Sequence, residues 1–388
     1  MKKVLWVSFR QKHLSIYSRF FDQGQCFCHR LIEVQLRSLW YRLALFFARF
    51  SQGDSQIVDE IVQESMKLGA SAGARRLRSQ AQFWYGWAEK MLQQERPDAI
   101  VLWSGLQVYQ VAVAKVAERE GVRTFYLENG FFPQTTQLEE FGVNWRSRIS
   151  QVESAEFLEI ERDPEGLEEI FSLPIVPRER RKAGIWAKDE RSARELTLPA
   201  GFVFVPFQVS KDSQIKLFSP WISDMSKLLA EVWAGVELFN LASNNSLQVV
   251  VKEHPSDFGR VDYSELRCQW EAKGVIFGNS VSTAELIEKA SVIITINSSV
   301  GAEALLRRKP VIVLGQAVYD RPGVTFSAGS AAEIAEALAK MADPDSRKDL
   351  EAFVYYLYEK RLVKGHWKNL DKKHWGNLEA RLVDCLLR

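Results

Sequence analysis

Residues 291–315 read SVIITINSSVGAEALLRRKPVIVLG, and the fold is decided in this stretch. Val292 to Ile296 is a short β-branched run with no polar alternation, the pattern of a strand buried on both faces of a parallel sheet. It stops at Asn297, Ser298 and Ser299, residue types that cap helices. Gly301 permits a close backbone approach, and Ala302 to Arg308 favour helix until Pro310 ends it. Val311 to Leu314 is a second apolar run, so the segment reads strand, helix, strand: one βαβ unit. Such a unit leaves a polar loop at the carboxyl end of its first strand, above a helix N-terminus whose N–H groups and dipole attract an anion. Asn297, Ser298 and Ser299 therefore fit either a phosphate seat or plain helix caps.

Working outward, a sheet starts at Gly201 with FVFVPFQV, followed by Lys211, Asp212, Ser213 and Gln214 and then a long helix to about residue 242. The next strand, LQVVVKEHP, ends in Lys252, Glu253, His254 and Pro255. An imidazole at a strand's carboxyl end can donate to a phosphate or protonate a leaving group near neutral pH. A lone histidine is more often a hydrogen-bonded loop residue, but this strand end and the Asn-Ser-Ser loop belong to one sheet and open onto the same crevice.

The amino-terminal half repeats the plan. VLWVSF near the start reads as a first strand, too short for a signal or membrane segment. Pro97-Asp98 turns into the strand AIVLW, a helix follows over 107–119, and VRTFYLE is the next strand. At its carboxyl end stand Glu128, Asn129 and Gly130, either a carboxylate at the mouth of the sheet or a solvated turn. The loop FFPQTTQLEEFGVNW that follows is rich in aromatic, Asn and Gln side chains, which suit a polar ligand such as a sugar.

A chain of 388 residues exceeds one comfortable core and predicts two domains. A net charge of +2 argues against a protein that wraps nucleic acid. Four scattered cysteines, Cys26, Cys28, Cys268 and Cys385, do not make a disulfide framework and fit a reducing compartment. Cys26, Cys28 and His29 match no common zinc spacing and read as structural. No run of eighteen apolar residues occurs, which predicts no membrane crossing. Residues 29–50 set Arg30, Arg37, Arg42 and Arg49 among Leu, Trp and Phe at roughly helical recurrence. That is an amphipathic helix fitted either to a membrane interface or to a core edge with snorkelling arginines. Asp343-Pro344-Asp345 has the spacing of a metal-nucleotide motif but follows no strand, so N-capping is the better reading.

Taken together, Glu128-Asn129-Gly130 followed by LEEFGVN, QVSKDSQI at 208–215, KEHP at 252–255, TINSSVGAEAL at 295–305 and GQAVYDRPGVT at 315–325 resemble the bacterial capsule polysaccharide biosynthesis/export family. Within it, the chain most resembles the short, single-module β-Kdo transferases that initiate an oligo-Kdo linker. The resemblance implies a GT-B glycosyltransferase of α/β class: an acceptor-side Rossmann-like domain over 1–198, a nucleotide-sugar domain over 199–345, and C-terminal helices over 346–388 that pack back on the first. It further implies CMP-Kdo as donor, retention at the sugar, no metal or other cofactor and a phosphatidylglycerol-type lipid acceptor. The cell site would be cytoplasmic and peripheral at the inner membrane, alongside other capsule assembly proteins, without nucleic acid.

By the same resemblance, Glu128 and His254 are catalytic. Lys252, His254, Pro255, Asn297, Ser298, Ser299 and Gly301 bind the nucleotide phosphate. Asn129, Gly130, Asn144, Gln208, Lys211, Asp212, Ser213, Gln214, Glu303 and Tyr319 contact donor or acceptor. Lys252 or Lys211 would meet the phosphate or the sugar carboxylate, and Glu128 could be nucleophile, base or acid. The sequence departs from the usual Glu-Glu-Gly or Glu-Asp-Gly in carrying Asn129 after Glu128. Other function classes stay open: a sialyltransferase-like enzyme, a nucleotide-sugar 2-epimerase, or a non-catalytic export component.

Overall fold

A computed structural model describes residues 2–8, 12–33, 55–70, 72–175, 196–210 and 213–386. Its strands are β1 (Lys2–Ser8), β2 (Phe27–Glu33), β3 (Ala99–Trp103), β4 (Arg123–Asn129), β5 (Thr135–Glu139), β6 (Phe202–Pro206), β7 (Gln248–Lys252), β8 (Ile276–Phe277), β9 (Val292–Thr295), β10 (Val311–Val313), β11 (Phe326–Ser327) and β12 (Leu362–Lys364). They form two six-stranded sheets, ordered β12-β5-β4-β3-β1-β2 and β11-β10-β9-β6-β7-β8. The chain divides into two compact units. The first holds 1–130, 134–151 and 361–388, and the second holds 131–133 and 152–360.

In the second unit every strand pair is parallel. Its central strands β6 and β9 are buried along their whole length, which is why their sequences are continuous apolar runs rather than alternating ones. One core joins Val203, Val205 and Ile294 to Leu228, Val232 and Ile334 of the helices Met225–Ser243 and Ala331–Lys340. Gly235 makes that helix contact possible, since a Cβ there would stand 2.7 Å from Ile334. The strand order runs outward both ways from β6, so the topological switch point lies between β6 and β9.

In the first unit β1 to β4 are parallel, but β5 runs antiparallel to β4, and β12 from the far end of the chain pairs antiparallel with β5. One face of this sheet packs on the helices Ser55–Lys67, Ala74–Glu95 and Val108–Arg119. The other face buries Trp6, Tyr17, Phe27 and Leu138 against Trp375, Leu378 and Leu382 of the C-terminal helix Lys372–Leu386.

Several expectations change. His29 to Glu33 are strand β2, not the start of a helix, because they pair along β1 from Val4↔His29 to Ser8↔Glu33; the rest of the expected helix, 34–50, lies outside the described residues. The long helix to 242 is two helices, Ser213–Phe218 and Met225–Ser243, because Pro220 interrupts the pattern and Asp224 caps the second with its carboxylate on the Lys227 N–H. The loop after Gly130 contains β5. The chain leaves the first unit after Gln151, not 198, and returns to it at Arg361, not 346. Asp343 accepts from the Asp345 N–H and so acts as a cap.

Candidate functional site

At the switch point Gln208, just beyond β6, and Asn297, just beyond β9, grip each other through their amides. Gln208 Nε2 donates to Asn297 Oδ1 at 2.8 Å, and the Asn297 backbone N–H donates to Gln208 Oε1 at 3.1 Å. Asn297 Nδ2 donates on to the carbonyls of Gln214 and Phe218 at 3.1 and 3.2 Å. Both side chains are expected to touch a ligand, and in the structure they lock the first strand-end loop to the helix Ser213–Phe218. Their amide groups satisfy one another where backbone polar groups converge, and an unpaired one would be costly.

Ser298, not Asn297, is the N-cap of the helix Ser299–Leu305; its hydroxyl accepts from the Val300 N–H at 3.2 Å. Gly301 is required by a neighbour within the protein. A Cβ there would lie 2.4 Å from the Tyr319 hydroxyl, and that hydroxyl donates to the Ser298 carbonyl. Tyr319, expected to contact donor or acceptor, is 2% exposed and stands as a strut under the cap. Burial, with the charges of Asp320 and Glu303 adding to it, pushes its phenol well above the ordinary range, so it stays a neutral donor. Ser298 and Ser299 remain at the carboxyl end of β9, with Glu303 half-buried one turn on.

On the other side of β6, the end of β7 has an internal division of labour. Lys252 is 4% exposed, and its ammonium donates to the carbonyls of Asn279, at 2.9 Å, and Val281. The residue expected to bind phosphate thus also anchors the loop after β8. Glu253 is buried and paired with Arg267 at 3.0 Å, and its N–H donates to Asn279. His254 is half-buried, with Pro255 exposed beside it. Its Nδ1 accepts from the Ser256 N–H at 3.1 Å, which leaves the proton of the neutral ring on Nε2. Asp257, 3% exposed, accepts from the Ser210 N–H and the Tyr263 hydroxyl, each at 3.0 Å, and so ties the loop after β6 to the loop after β7. With β6 between them, the ends of β7 and β9 lie about 10 Å apart at ordinary strand spacing. Lys211 and Asp212 lie outside the described residues, as does the side chain of Ser213.

In the first unit Glu128 ends β4 half-buried. Its Oε1 accepts from both the backbone N–H of Asn129 at 2.9 Å and Asn129 Nδ2 at 2.8 Å. Gly130 fits because its N–H meets the Thr135 carbonyl at 2.9 Å and a Cβ would collide with Thr135. Gln137 on β5 donates to the Asn129 carbonyl and accepts from the Asn144 N–H at 2.9 Å, so Asn144 buttresses the strand end from behind. Asn144 holds the left-handed conformation at φ 56°, which asparagine tolerates better than most. Sequence reasoning missed two residues here. His366 Nε2 and Trp367 Nε1 stand 3.1 and 2.9 Å from Asn129 Oδ1, brought there from the far end of the chain. The His-Trp pair was visible in the sequence, but nothing local connects it to β4.

Among the described residues no group of three or more His, Cys, Asp or Glu is placed to hold a metal. No described helix is long and apolar enough to cross a membrane.

Residues 178–367 match the family described as Capsule polysaccharide biosynthesis protein. Protein FixF of Sinorhizobium fredii is 31% identical over 291 residues, covering 74% of this chain and 64% of FixF. The capsule polysaccharide modification protein LipB of Neisseria meningitidis is 34% identical over 130 residues, 32% of this chain and 30% of LipB. The chain thus spans less than two thirds of the length of either relative. Among solved structures, the β-Kdo 2,7 transferase of Thermosulfurimonas dismutans KpsC is 18% identical, covering 87% of this chain and 90% of its own, at a TM-score of 0.45. The UDP-GlcNAc 2-epimerase of Methanocaldococcus jannaschii is 13% identical over 99% of this chain and 100% of its own, at a TM-score of 0.40. At those scores the fold is better read from the strand order itself.

Proposed function

We propose that the chain is a member of the capsule polysaccharide biosynthesis family, whose description matches residues 178–367, and that it is a glycosyltransferase moving Kdo from CMP-Kdo, with retention, to a phosphatidylglycerol-type lipid. The observation that carries this reading is the pair of strand ends flanking β6. One presents His254 with its Nε2 protonated, and the other presents the Ser298–Ser299 start of a helix. Breaking the bond between the sugar and the phosphate of a CMP-sugar leaves negative charge on one phosphate. A ring N–H donor and a helix N-terminus are the kinds of group that stabilise such charge without a metal.

In this scheme the second unit holds the donor. Glu128 is the proposed reaction carboxylate of the first unit, as nucleophile, base or acid. The buried Lys252 and Gln208 and the half-buried Asn297 shape the loops around the donor. A lipid acceptor would bring the protein to the cytoplasmic surface of the inner membrane.

The test is product formation. Purified protein is given CMP-Kdo generated in situ and a fluorescent phosphatidylglycerol-type acceptor, and products are read by mass spectrometry. One added Kdo unit, lost in Glu128→Ala and in His254→Ala, supports the proposal. Absence of product while CMP, but not UDP, protects the fold against heat would overturn the lipid acceptor and keep the donor class.

A further inference from the structure

Asn129 lies between a carboxylate and two ring N–H groups, and its amide can face only one way. The Trp367 indole is a donor and never an acceptor, so the Asn129 atom 2.9 Å from it is the amide oxygen. That turns Asn129 Nδ2 toward Glu128 Oε1, 2.8 Å away. His366 acts in the same sense. Its Nδ1 accepts from the Lys368 N–H at 3.1 Å, so Nε2 carries the proton and donates to the same Asn129 oxygen at 3.1 Å.

The pair is itself held firmly. The Trp367 ring stands edge-on to Trp103 at the end of β3, centroids 5.7 Å apart. Gly365 makes the turn that delivers it. Its φ is 113°, and a Cβ would lie 2.5 Å from the His374 ring. The Gly365 N–H donates to the Gln134 carbonyl at 2.7 Å, and the Thr136 hydroxyl donates to the Gly365 carbonyl at 2.9 Å. The turn is therefore fastened at both ends to the strand that follows Glu128.

We propose that His366 and Trp367 are positioning residues for Glu128, acting through Asn129 to hold the carboxylate in one orientation. Asparagine suits this position because its side chain must accept on one side and donate on the other. An aspartate could only accept, and would set a second carboxylate against Glu128. Connected hydrogen bonds of this kind fix geometry better than their members do singly. The proposal deepens the transferase reading and rests on it for its kinetic arm alone.

The experiment combines exchange and kinetics. In protein labelled with 15N-tryptophan, the Trp367 indole N–H is expected to be protected from solvent exchange by its hydrogen bond to Asn129. Protection is expected to fall at least tenfold in Asn129→Ala and to persist in Asn129→Asp, which keeps the acceptor. Trp367→Phe keeps a ring against Trp103 but removes the donor. It should lower kcat about tenfold, the order set by one hydrogen bond, with KM and Tm unchanged.

The double variant Trp367→Phe/Asn129→Ala should be no worse than Asn129→Ala alone, since one acts through the other. Losses that multiply, or an unchanged kcat in Trp367→Phe, would overturn the relay. If the wild type makes no product, the transferase reading fails and the exchange arm decides: unchanged indole exchange in Asn129→Ala overturns the relay, and a tenfold rise supports it.

Discussion

The two units hold their strand-end loops by different means. In the second, the clamps join loops that follow neighbouring strands, as in Gln208 to Asn297 and Ser210 to Asp257. In the first, the loop after β4 is held by residues that arrive some 230 positions later, through β12, Gly365, His366 and Trp367. A sheet parallel throughout can support its crevice from its own crossovers, because every strand ends at the same rim. The mixed sheet of the first unit turns back at β5, loses that supply on one side, and recruits the end of the chain to replace it.

The largest effect that would sharpen this contrast lies at the returning segment. Glu139, 3% exposed, accepts on both oxygens from Arg361 Nη2, at 2.9 and 2.8 Å, with Arg381 further off at 3.9 Å. Burial raises its carboxyl above the ordinary range even against the pull of both arginines. Arg361→Met should destabilise the first unit by about 3–5 kcal/mol, because it leaves a buried carboxylate without its main partner. Urea unfolding followed by hydrogen exchange should show the loss at β1 and β3 and not at β6. Equal loss in both units would break the comparison.

The corresponding cut in the second unit is smaller. Asn297→Ala leaves Gln208 Nε2 and two carbonyls short of a partner and should cost about 1–3 kcal/mol. Gly301→Ala, which forces a methyl group against the buried Tyr319, should cost a similar or smaller amount, about 1–2 kcal/mol. Both are to be read as shifts in urea midpoint with exchange mapped to β6 and β9, and a shift confined to the first unit would contradict the assignment.

The smallest expected difference is one of pH. His29 and His374 both lie in the first unit, and burial lowers the pKa of each, Glu379 opposing this for His29 and Asp371 for His374. A lowered histidine stays neutral in the fold while the unfolded chain protonates near its ordinary value of 6.5. Below that pH the unfolded state therefore binds more protons, so stability falls as pH drops from 6.5 toward the folded values and is constant above. The protection factor at β1, taken relative to the intrinsic exchange rate at each pH, should fall between pH 7.5 and 5.5 in the wild type and fall less in His374→Gln. An equal change in both would remove His374 from the account.

Most of the second unit was legible in the sequence. Val292 to Gly315 spelled strand, helix and strand, and KEHP and NSS fell at strand ends, because a buried parallel strand needs a continuous apolar run and its exit loop needs capping residues. What could not be read was which partners within the protein the polar residues of those loops take. Lys252, Asn297, Gln208 and Tyr319 have the chemistry of ligand contacts and are committed to carbonyls and to one another. That commitment depends on distances between loops 20 to 90 positions apart, which no local pattern encodes.

Local pattern along the chain set the α/β plan, the two sheets and the strand ends at which Glu128, His254 and Ser298 stand. Periodicity, turn chemistry and capping are set by residues within a few positions of one another. Only the tertiary structure decided that His29 to Glu33 continue a strand, that β5 and β12 close the first sheet, and that His366 and Trp367 reach Asn129. Those outcomes turn on which of several compatible partners lies within hydrogen-bonding distance once the cores have packed, and that is a property of the whole chain.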